Sequence, residues 1–346
     1  MNWSNLRYRL EIGGLPWAAN AALSQCNNLV HRLFREAPRL DTTARQPKSR
    51  ILYIHSGWAV ENVGKLWFGG GCNVPVDFIS FSSPLLSREL LNKYALIWYG
   101  YTSLFYKFPC PPEKAIVSIH DPCEMFSETR EWNSNAKLSA TQADWLKTMA
   151  RVVVISEEMR LIMENSGVDC SLIPTTSLLP IRLLSDISIN EVPDVLSVGR
   201  IYKRKNFEQF LRISKQLKKS KIHCKLRCGN PTTSEGKYMQ CIDHYPIYLC
   251  TSFQEGGPIP VMDAMTRGAV VLSTPVGQVP EIISDGQSGF LCQSDSDFID
   301  KIHLLASDPD LLFKMRLASI QAIEEKRNAA IIASQVSALL GRFTTV

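Results

Sequence analysis

Short apolar runs recur along this chain in two series, and they constrain its fold more than any other feature. The first series lies at 50–55 (RILYIH), 76–81 (VDFISF), 95–99 (ALIWY), 115–120 (AIVSIH) and 151–155 (RVVVI). Each run is apolar on both faces, and the segments between runs are long enough to cross over a sheet, as in parallel sheets buried between helices. Residues 50–178 therefore predict a first Rossmann-like α/β domain.

A stretch punctuated by Pro174, Pro180 and Pro193 interrupts the series, and we predict a linker over 179–193. The runs begin again at 194–198, 225–228, 247–250, 269–273 and 289–292, with predicted helices at 206–217 and 260–267. Residues 194–320 thus predict a second domain, followed by a C-terminal helix at 321–346, for which a return to the first domain is one expected course. Two such domains are expected to face each other across a cleft.

The basic excess of the chain is confined to its beginning. The net charge is +5, and residues 1–50 hold eight basic and three acidic side chains, so the rest is neutral. A neutral body excludes a protein that coats nucleic acid, which needs a basic face on the folded domain. We therefore treat 1–49 as a basic N-terminal extension.

The sequence predicts neither a membrane span nor disulfide bridges. No stretch approaches the roughly 20 apolar residues that a membrane-spanning helix needs. The ten cysteines show no framework, which favours reduced thiols in a cytoplasmic protein.

No metal site is predicted either. Cys224 and Cys228 lie on one face of a strand-like segment and lack the repeated close pairs of zinc sites. The segment from Asp295 to Asp297 has the Asp-x-Asp pattern of some metal sites. It precedes an apolar-periodic helix, so helix capping is the favoured interpretation.

A glycine loop after the run at 247–250 predicts a site for an anionic group. The loop passes through Gly256 and Gly257 into a helix with Pro260 in its first turn and Gly268 as its stop. Backbone N–H groups and the positive end of the helix dipole would point into the space beyond the strand ends.

Two acids flank this loop. Glu255 and Asp263 are eight residues apart, and each can accept hydrogen bonds from a vicinal diol. A ligand with both diols and a diphosphate, such as a nucleotide sugar, meets both demands. The alternative stays open that Asp263 only complements the helix dipole and that Glu255 is a solvated loop residue.

A basic turn is the second element of the candidate site. Arg200 and Lys205 follow the run at 194–198 and stand at the mouth of the next helix. Cationic groups at the carboxyl end of a parallel sheet can hold a diphosphate and stabilise it as it leaves.

Residues 194–292 resemble the donor domain of retaining GT-B glycosyltransferases of family 4. The matching residues are Gly199, Arg200 and Lys205; Ser252, Glu255, Gly256 and Gly257; and Gly277, Pro280, Glu281, Asp285, Gly286 and Gly289. The resemblance implies that Arg200 and Lys205 hold the donor diphosphate, Glu255 contacts the transferred sugar, the backbone of Gly256, Gly257 and Pro258 supports the sugar phosphate, and Asp263 takes the ribose diol.

The first domain resembles the family less completely. His120-Asp121 at a strand end is similar to the family's His-Asp, which implies that His120 lines the cleft near the reacting centre. The family's glycine loop after the first strand is represented by Gly57. The chain departs from the family at Asp263, where Glu is usual, and it is shorter than usual between residues 229 and 248.

The resemblance implies a retaining glycosyltransferase that moves a sugar from a UDP-, GDP- or dTDP-linked donor to a glycan or lipid-linked acceptor, as in lipopolysaccharide or capsule assembly. It implies no bound cofactor and no metal requirement. Two alternatives remain: a catalytically silent nucleotide-sugar-binding subunit, and a GT-B sugar-nucleotide epimerase.

The basic extension suggests peripheral contact with a membrane. Apolar residues recur at helical spacing in 22–34, with Arg32, Arg35 and Arg39 beside or just after them. A helix of this kind can lie on anionic lipid, although packing on the first domain explains the pattern equally well.

If residues 22–39 bind the inner face of the membrane, the chain will co-sediment with anionic liposomes and salt will release it, because the attraction is partly electrostatic. A variant without residues 1–45 should stay in the supernatant. Co-sedimentation that responds neither to salt nor to this deletion would contradict the membrane hypothesis.

Overall fold

A computed structural model describes residues 51–56, 58–69, 72, 74–126, 135–188, 193–228 and 235–344. These residues form two compact units. We call 51–178 together with 327–344 the amino-terminal unit, and 179–326 the carboxyl-terminal unit. Each contains one all-parallel sheet.

The amino-terminal unit has a six-stranded sheet in the order β2-β1-β3-β4-β5-β6. Its strands are Ile51–His55 (β1), Val76–Ser80 (β2), Leu96–Tyr99 (β3), Ala115–Ile119 (β4), Arg151–Val154 (β5) and Cys170–Leu172 (β6). The first five match the predicted runs within a residue or two at each end. No apolar run predicts β6, because three half-buried residues with a central serine carry no apolar pattern.

Helices cover both faces of this sheet. They are Trp58–Gly69 (α1), Arg88–Asn92 (α2), Thr102–Lys107 (α3), Ala140–Lys147 (α4), Glu157–Asn165 (α5) and the C-terminal Ala329–Thr344 (α12), which packs against α1. The chain thus returns to the amino-terminal unit after residue 326.

The carboxyl-terminal unit has a five-stranded sheet in the order β11-β10-β9-β7-β8. Its strands are Val195–Gly199 (β7), Cys224–Cys228 (β8), Ile247–Cys250 (β9), Val270–Ser273 (β10) and Gly289–Leu291 (β11). Its helices are Phe207–Leu217 (α6), Glu235–Asp243 (α7), Ile259–Thr266 (α8), Val279–Ile282 (α9), Asp295–Ser307 (α10) and Pro309–Lys326 (α11).

Strand order places a topological switch point in each sheet. In the carboxyl-terminal unit the chain leaves β7 outward to β8 and then crosses to β9 on the other side. The connections after β7 and β9 therefore diverge and leave a crevice at the carboxyl ends of these two strands, where open α/β sheets bind ligands. In the amino-terminal unit β1 and β3 form the corresponding pair.

The predicted α/β class with two parallel sheets is confirmed. Within the described residues, no helix combines the length and the apolar character needed to cross a membrane. The eight cysteines whose side chains are described are free thiols.

Candidate functional site

The crevice at the ends of β7 and β9 is built by a basic turn, residues 200–206, and a glycine loop, residues 251–258. Asn206 adopts the left-handed conformation with φ 47°, which lets the turn reverse into α6. The Thr251 hydroxyl donates to the carbonyls of Lys205 (3.2 Å) and Asn206 (3.1 Å), and the N–H of Phe253 donates to the carbonyl of Arg204 (2.7 Å). Three hydrogen bonds thus fix the two segments to each other.

The Glu255 carboxylate accepts from three side chains of this crevice, and only 4% of the residue is exposed. Its Oε2 accepts from Nη1 of Arg204 at 2.6 Å. Its Oε1 accepts from Nζ of Lys205 at 2.5 Å and from the Ser252 hydroxyl at 2.8 Å. One carboxylate therefore joins the basic turn to the glycine loop through charge-assisted hydrogen bonds.

These partners decide the ionisation of Glu255. Burial by itself raises the pKa of the carboxyl, but the positive charges of Arg204 and Lys205 and the hydrogen bonds that they donate outweigh burial and lower the pKa to about 2. The carboxylate is therefore ionised at any physiological pH. A group of this kind accepts hydrogen bonds well but is a poor proton acceptor in catalysis.

The glycines at the start of α8 are held by a second loop. Pro258 is the N-cap of α8, and within the described residues no side chain caps the first turn. The Gly256 carbonyl accepts from the N–H of Gln278 at 2.9 Å. Gly257 and Pro258 follow directly, so the backbone predicted to support a sugar phosphate lies beside the Glu255 carboxylate in sequence and at the entrance of the helix.

Asp263 lies in the second turn of α8, which begins at Ile259, one residue before the predicted start. Its side chain is fully buried, and its Oδ2 accepts from the Tyr238 hydroxyl at 3.0 Å. The carboxylate therefore faces α7 with a protein partner, and its role as ribose ligand stays a prediction that requires Asp263 to share or exchange this bond.

Of the two cations assigned to a diphosphate, only Lys205 contacts Glu255. Arg200 directly follows β7 and is exposed at the mouth of the crevice. Arg204, which lies inside the basic run of residues 203–205, was not predicted as a site residue. Composition could not distinguish the side chains of Lys203, Arg204 and Lys205, because the turn geometry alone decides which of them points toward Glu255.

In the amino-terminal unit, His120 follows β4 and is 9% exposed. Its ring stacks on Trp67 with 5.3 Å between centroids and meets Tyr101 edge to face at 5.5 Å. Burial lowers the pKa of His120 to about 4, so the imidazole is neutral at pH 7. Its Nε2 is buried and has no hydrogen-bond partner among the described residues.

Glu124, which the sequence analysis also missed, holds His120 in place. Its Oε1 accepts from the backbone N–H groups of His120 (2.6 Å) and Asp121 (3.2 Å), and its Oε2 accepts from the N–H and hydroxyl of Thr102. Burial raises the pKa of Glu124 more than these donors lower it, and the net result is a pKa of about 8. The Asp121-x-x-Glu124 spacing of a capping box is the sequence signal that would have found it.

Gly57, the remaining predicted site residue, lies outside the described residues.

The capping interpretation of the Asp-x-Asp segment is confirmed for Asp297, whose Oδ2 accepts from the N–H of Ser294 in a capping box. Asp295 instead pairs with Arg212 and Gln209 of α6. Within the described ranges, no group of three or more His, Cys, Asp or Glu side chains is arranged to hold a metal ion.

Comparison with known proteins places this geometry in a family context. Residues 231–325 match the family model described as "Glycosyl transferases group 1". No curated protein matches the chain at the significance required.

Several solved structures are similar to the chain over most of its length. Anabaena HepE in complex with UDP and glucose is 12% identical, with a TM-score of 0.63 over 85% of this chain and 99% of that one. Sucrose-phosphate synthase from Thermosynechococcus elongatus is 18% identical, with a TM-score of 0.62 over 86% and 99%. The pneumococcal O-GlcNAc transferase GtfA in complex with UDP and GlcNAc is 17% identical, with a TM-score of 0.56 over 75% and 59%. At these identities the likeness concerns the fold, which is GT-B.

Alanine substitutions at two glycines test how closely the backbone of the site is packed. Gly277 has φ +51°, and a Cβ there would press against the carbonyl oxygens of Glu255 and Gly256; Gly286 has φ +73° and open space around it. Gly286→Ala should cost about 1 kcal/mol of stability from backbone strain alone, and Gly277→Ala at least about 3 kcal/mol more. Urea unfolding of both variants measures the difference, and equal costs would contradict the close approach.

The charge of Glu255 should appear in the pH dependence of stability. Because its folded pKa lies below the unfolded value, the carboxylate contributes stability above about pH 4, and that contribution is lost as the pH falls toward about 2. The unmodified chain should exceed Glu255→Gln in free energy of unfolding at pH 7, and this difference should shrink by about 3 kcal/mol over that acid range. Urea unfolding followed by circular dichroism checks it, and a pH-independent difference would contradict the assignment.

Proposed function

We propose a specific reaction for this chain. The family match and the fold identify the chain as a GT-B glycosyltransferase of group 1. The reaction is transfer of a sugar, with retention of anomeric configuration, from a nucleoside-diphosphate sugar to a glycan or lipid-linked acceptor. The observation that carries the proposal is Glu255, ionised and held between the basic turn and the glycine loop at a topological switch point.

Each part of a nucleotide sugar has a matching group at this crevice. Arg200 and Lys205 provide positive charge for the diphosphate. The N–H groups of Gly256, Gly257 and Ile259 are the backbone donors proposed for the sugar phosphate, because Pro258 has no N–H. Glu255 can accept hydrogen bonds from the hydroxyls of the transferred sugar. We assign Gly256, Gly257 and Pro258 to the phosphate, and Asp263 to the ribose after release from Tyr238.

We propose a uridine donor as the first to test among UDP-, GDP- and dTDP-linked sugars. HepE was solved with UDP, with UDP and glucose, and with UDP-glucose, and GtfA with UDP and GlcNAc. These ligands belong to those proteins, and they support the choice for this chain through the shared fold.

We propose front-face chemistry without a metal ion. A carboxylate as weakly basic as Glu255 suits a hydrogen-bonding role better than that of a nucleophile or base, so the leaving phosphate oxygen is proposed to take the proton of the acceptor. The basic side chains and the start of α8 would stabilise the charge on that phosphate. In the amino-terminal unit, the neutral His120 stays a proposed catalytic residue.

We further propose that the chain works in the cytoplasm, at the inner face of the cell membrane, in assembly of a lipopolysaccharide, capsule or related polysaccharide. The basic segment 22–39 supports this location through its charge and helical apolar spacing, and it lies outside the described residues.

Incubation with UDP-sugars and an acceptor extract should give nucleotide release that depends on the acceptor. Glu255→Ala and Arg200→Ala should each lower transfer at least about 100-fold, because each removes a charged contact made in the transition state. Mass spectrometry of the products measures the transfer.

The exposed Glu208 and Lys219 offer matched controls, since Glu208→Ala and Lys219→Ala remove the same charges from the same unit. Both should retain transfer. Unchanged transfer in the Glu255 and Arg200 variants would show the site assignment to be wrong. Donor binding without turnover would favour a silent binding subunit, and sugar interconversion without acceptor would favour an epimerase.

A further inference from the structure

Glu255 has two cationic partners, although one would neutralise its charge. Arg204 and Lys205 bind opposite oxygens of the carboxylate at 2.6 and 2.5 Å, and all three side chains are largely buried. Two cations and one anion leave a net positive charge in the crevice, with the exposed Arg200 nearby. The surplus suits a ligand that is itself an anion.

The two cations are held in different ways. Nη1 of Arg204 also donates to the carbonyl of Gln254 at 3.1 Å, and its own carbonyl accepts from the N–H of Phe253. Arg204 is therefore anchored to the glycine loop by its side chain and its backbone. In the described part of the chain, the Lys205 ammonium has Glu255 as its partner and sits on a flexible four-carbon stem. Arg204 is thus the fixed cation and Lys205 the exchangeable one.

We propose that Arg204 is the permanent counter-ion of Glu255, which keeps this carboxylate ionised and in place when Lys205 moves from Glu255 to the diphosphate of the donor. The inference rests on the proposed function for the exchange step only. Arg204 acts through Glu255 and is a positioning residue.

The physical reason is the cost of an unpaired buried charge. If Lys205 left and no other cation remained, the buried carboxylate would take up a proton or move toward water, and it would then lose its ability to accept sugar hydroxyls. A guanidinium prevents this at every accessible pH because it does not lose its proton. It also anchors the carboxylate in one orientation.

Few other groups could take over this role. The titratable groups that face Glu255 are Arg204 and Lys205 from the basic turn and Tyr248 from β9. Cys250 is connected to Glu255 by two hydrogen bonds through Ser252. Burial raises the pKa of Tyr248, so its hydroxyl is neutral and supplies no positive charge. Arg204 and Lys205 are thus the two cations of this set.

The first experiment needs no ligand. Glutamate carboxyls are labelled with ¹³C, and the Glu255 signal is assigned by its loss in Glu255→Gln. The carboxyl of the unmodified chain should stay ionised to about pH 3, whereas Arg204→Gln should raise its midpoint by at least about one unit. Lys203→Gln, which removes an exposed charge from the same turn, should leave it within about 0.3 units.

The second experiment adds UDP as the probe. Lys205→Ala should weaken UDP binding at least about tenfold, and Arg204→Gln less than about threefold. Saturating UDP should raise the Glu255 midpoint in Arg204→Gln by about one further unit, because no cation remains on the carboxylate. In Arg204→Gln, the transfer rate should begin to fall at a higher pH on the acid side of its pH profile. Arg204→Lys, which keeps the charge, should return this fall to the pH seen in the unmodified chain.

Each outcome is decisive. An unchanged Glu255 midpoint in Arg204→Gln overturns the counter-ion role. A midpoint in Arg204→Gln that UDP does not move overturns the exchange of Lys205. Failure of the unmodified chain to bind UDP contradicts the proposed uridine donor and overturns the exchange with it, while the ligand-free titration still decides the role of Arg204.

Discussion

The ion pairs of Glu255 with Arg204 and Lys205 connect the two segments on which the candidate site depends. The basic turn leaves β7 and the glycine loop leaves β9, so the carboxylate bridges connections that diverge from neighbouring strands. A buried charge of this kind is stable only while its partners stay in place. The positions of the Glu255 carboxylate and the Lys205 ammonium are therefore set together.

The parallel sheet explains why this network can form where it does. Reversal of strand order between β7 and β9 opens a crevice at their carboxyl ends, and the start of α8 directs backbone N–H groups to the same edge. Gly277 lies close to the backbone of Glu255 and Gly256 and packs against the glycine loop. The sheet holds the ends of these loops in fixed positions, and the loops carry the candidate site residues.

Much of the architecture could be predicted because buried parallel strands have a plain sequence signature. Ten of the eleven strands correspond to predicted apolar runs, and the exception, β6, has too few buried side chains to show one. The site was harder. Glu255 and Lys205 were found through their spacing, whereas Arg204 and Glu124 were missed, and the hydrogen bond between Asp263 and Tyr238 was not predicted.

The amino-acid sequence alone determined the α/β class, the two series of parallel strands and the association of a glycine loop with acids and cations, since periodicity and local spacing are properties of the chain itself. The tertiary structure decided which side chains meet. Orientation in a short turn selects Arg204 as a partner of Glu255, burial against α7 joins Asp263 to Tyr238, and packing on Trp67 makes His120 a neutral base. Those outcomes depend on contacts between residues 25 to 53 positions apart, and no local pattern contains them.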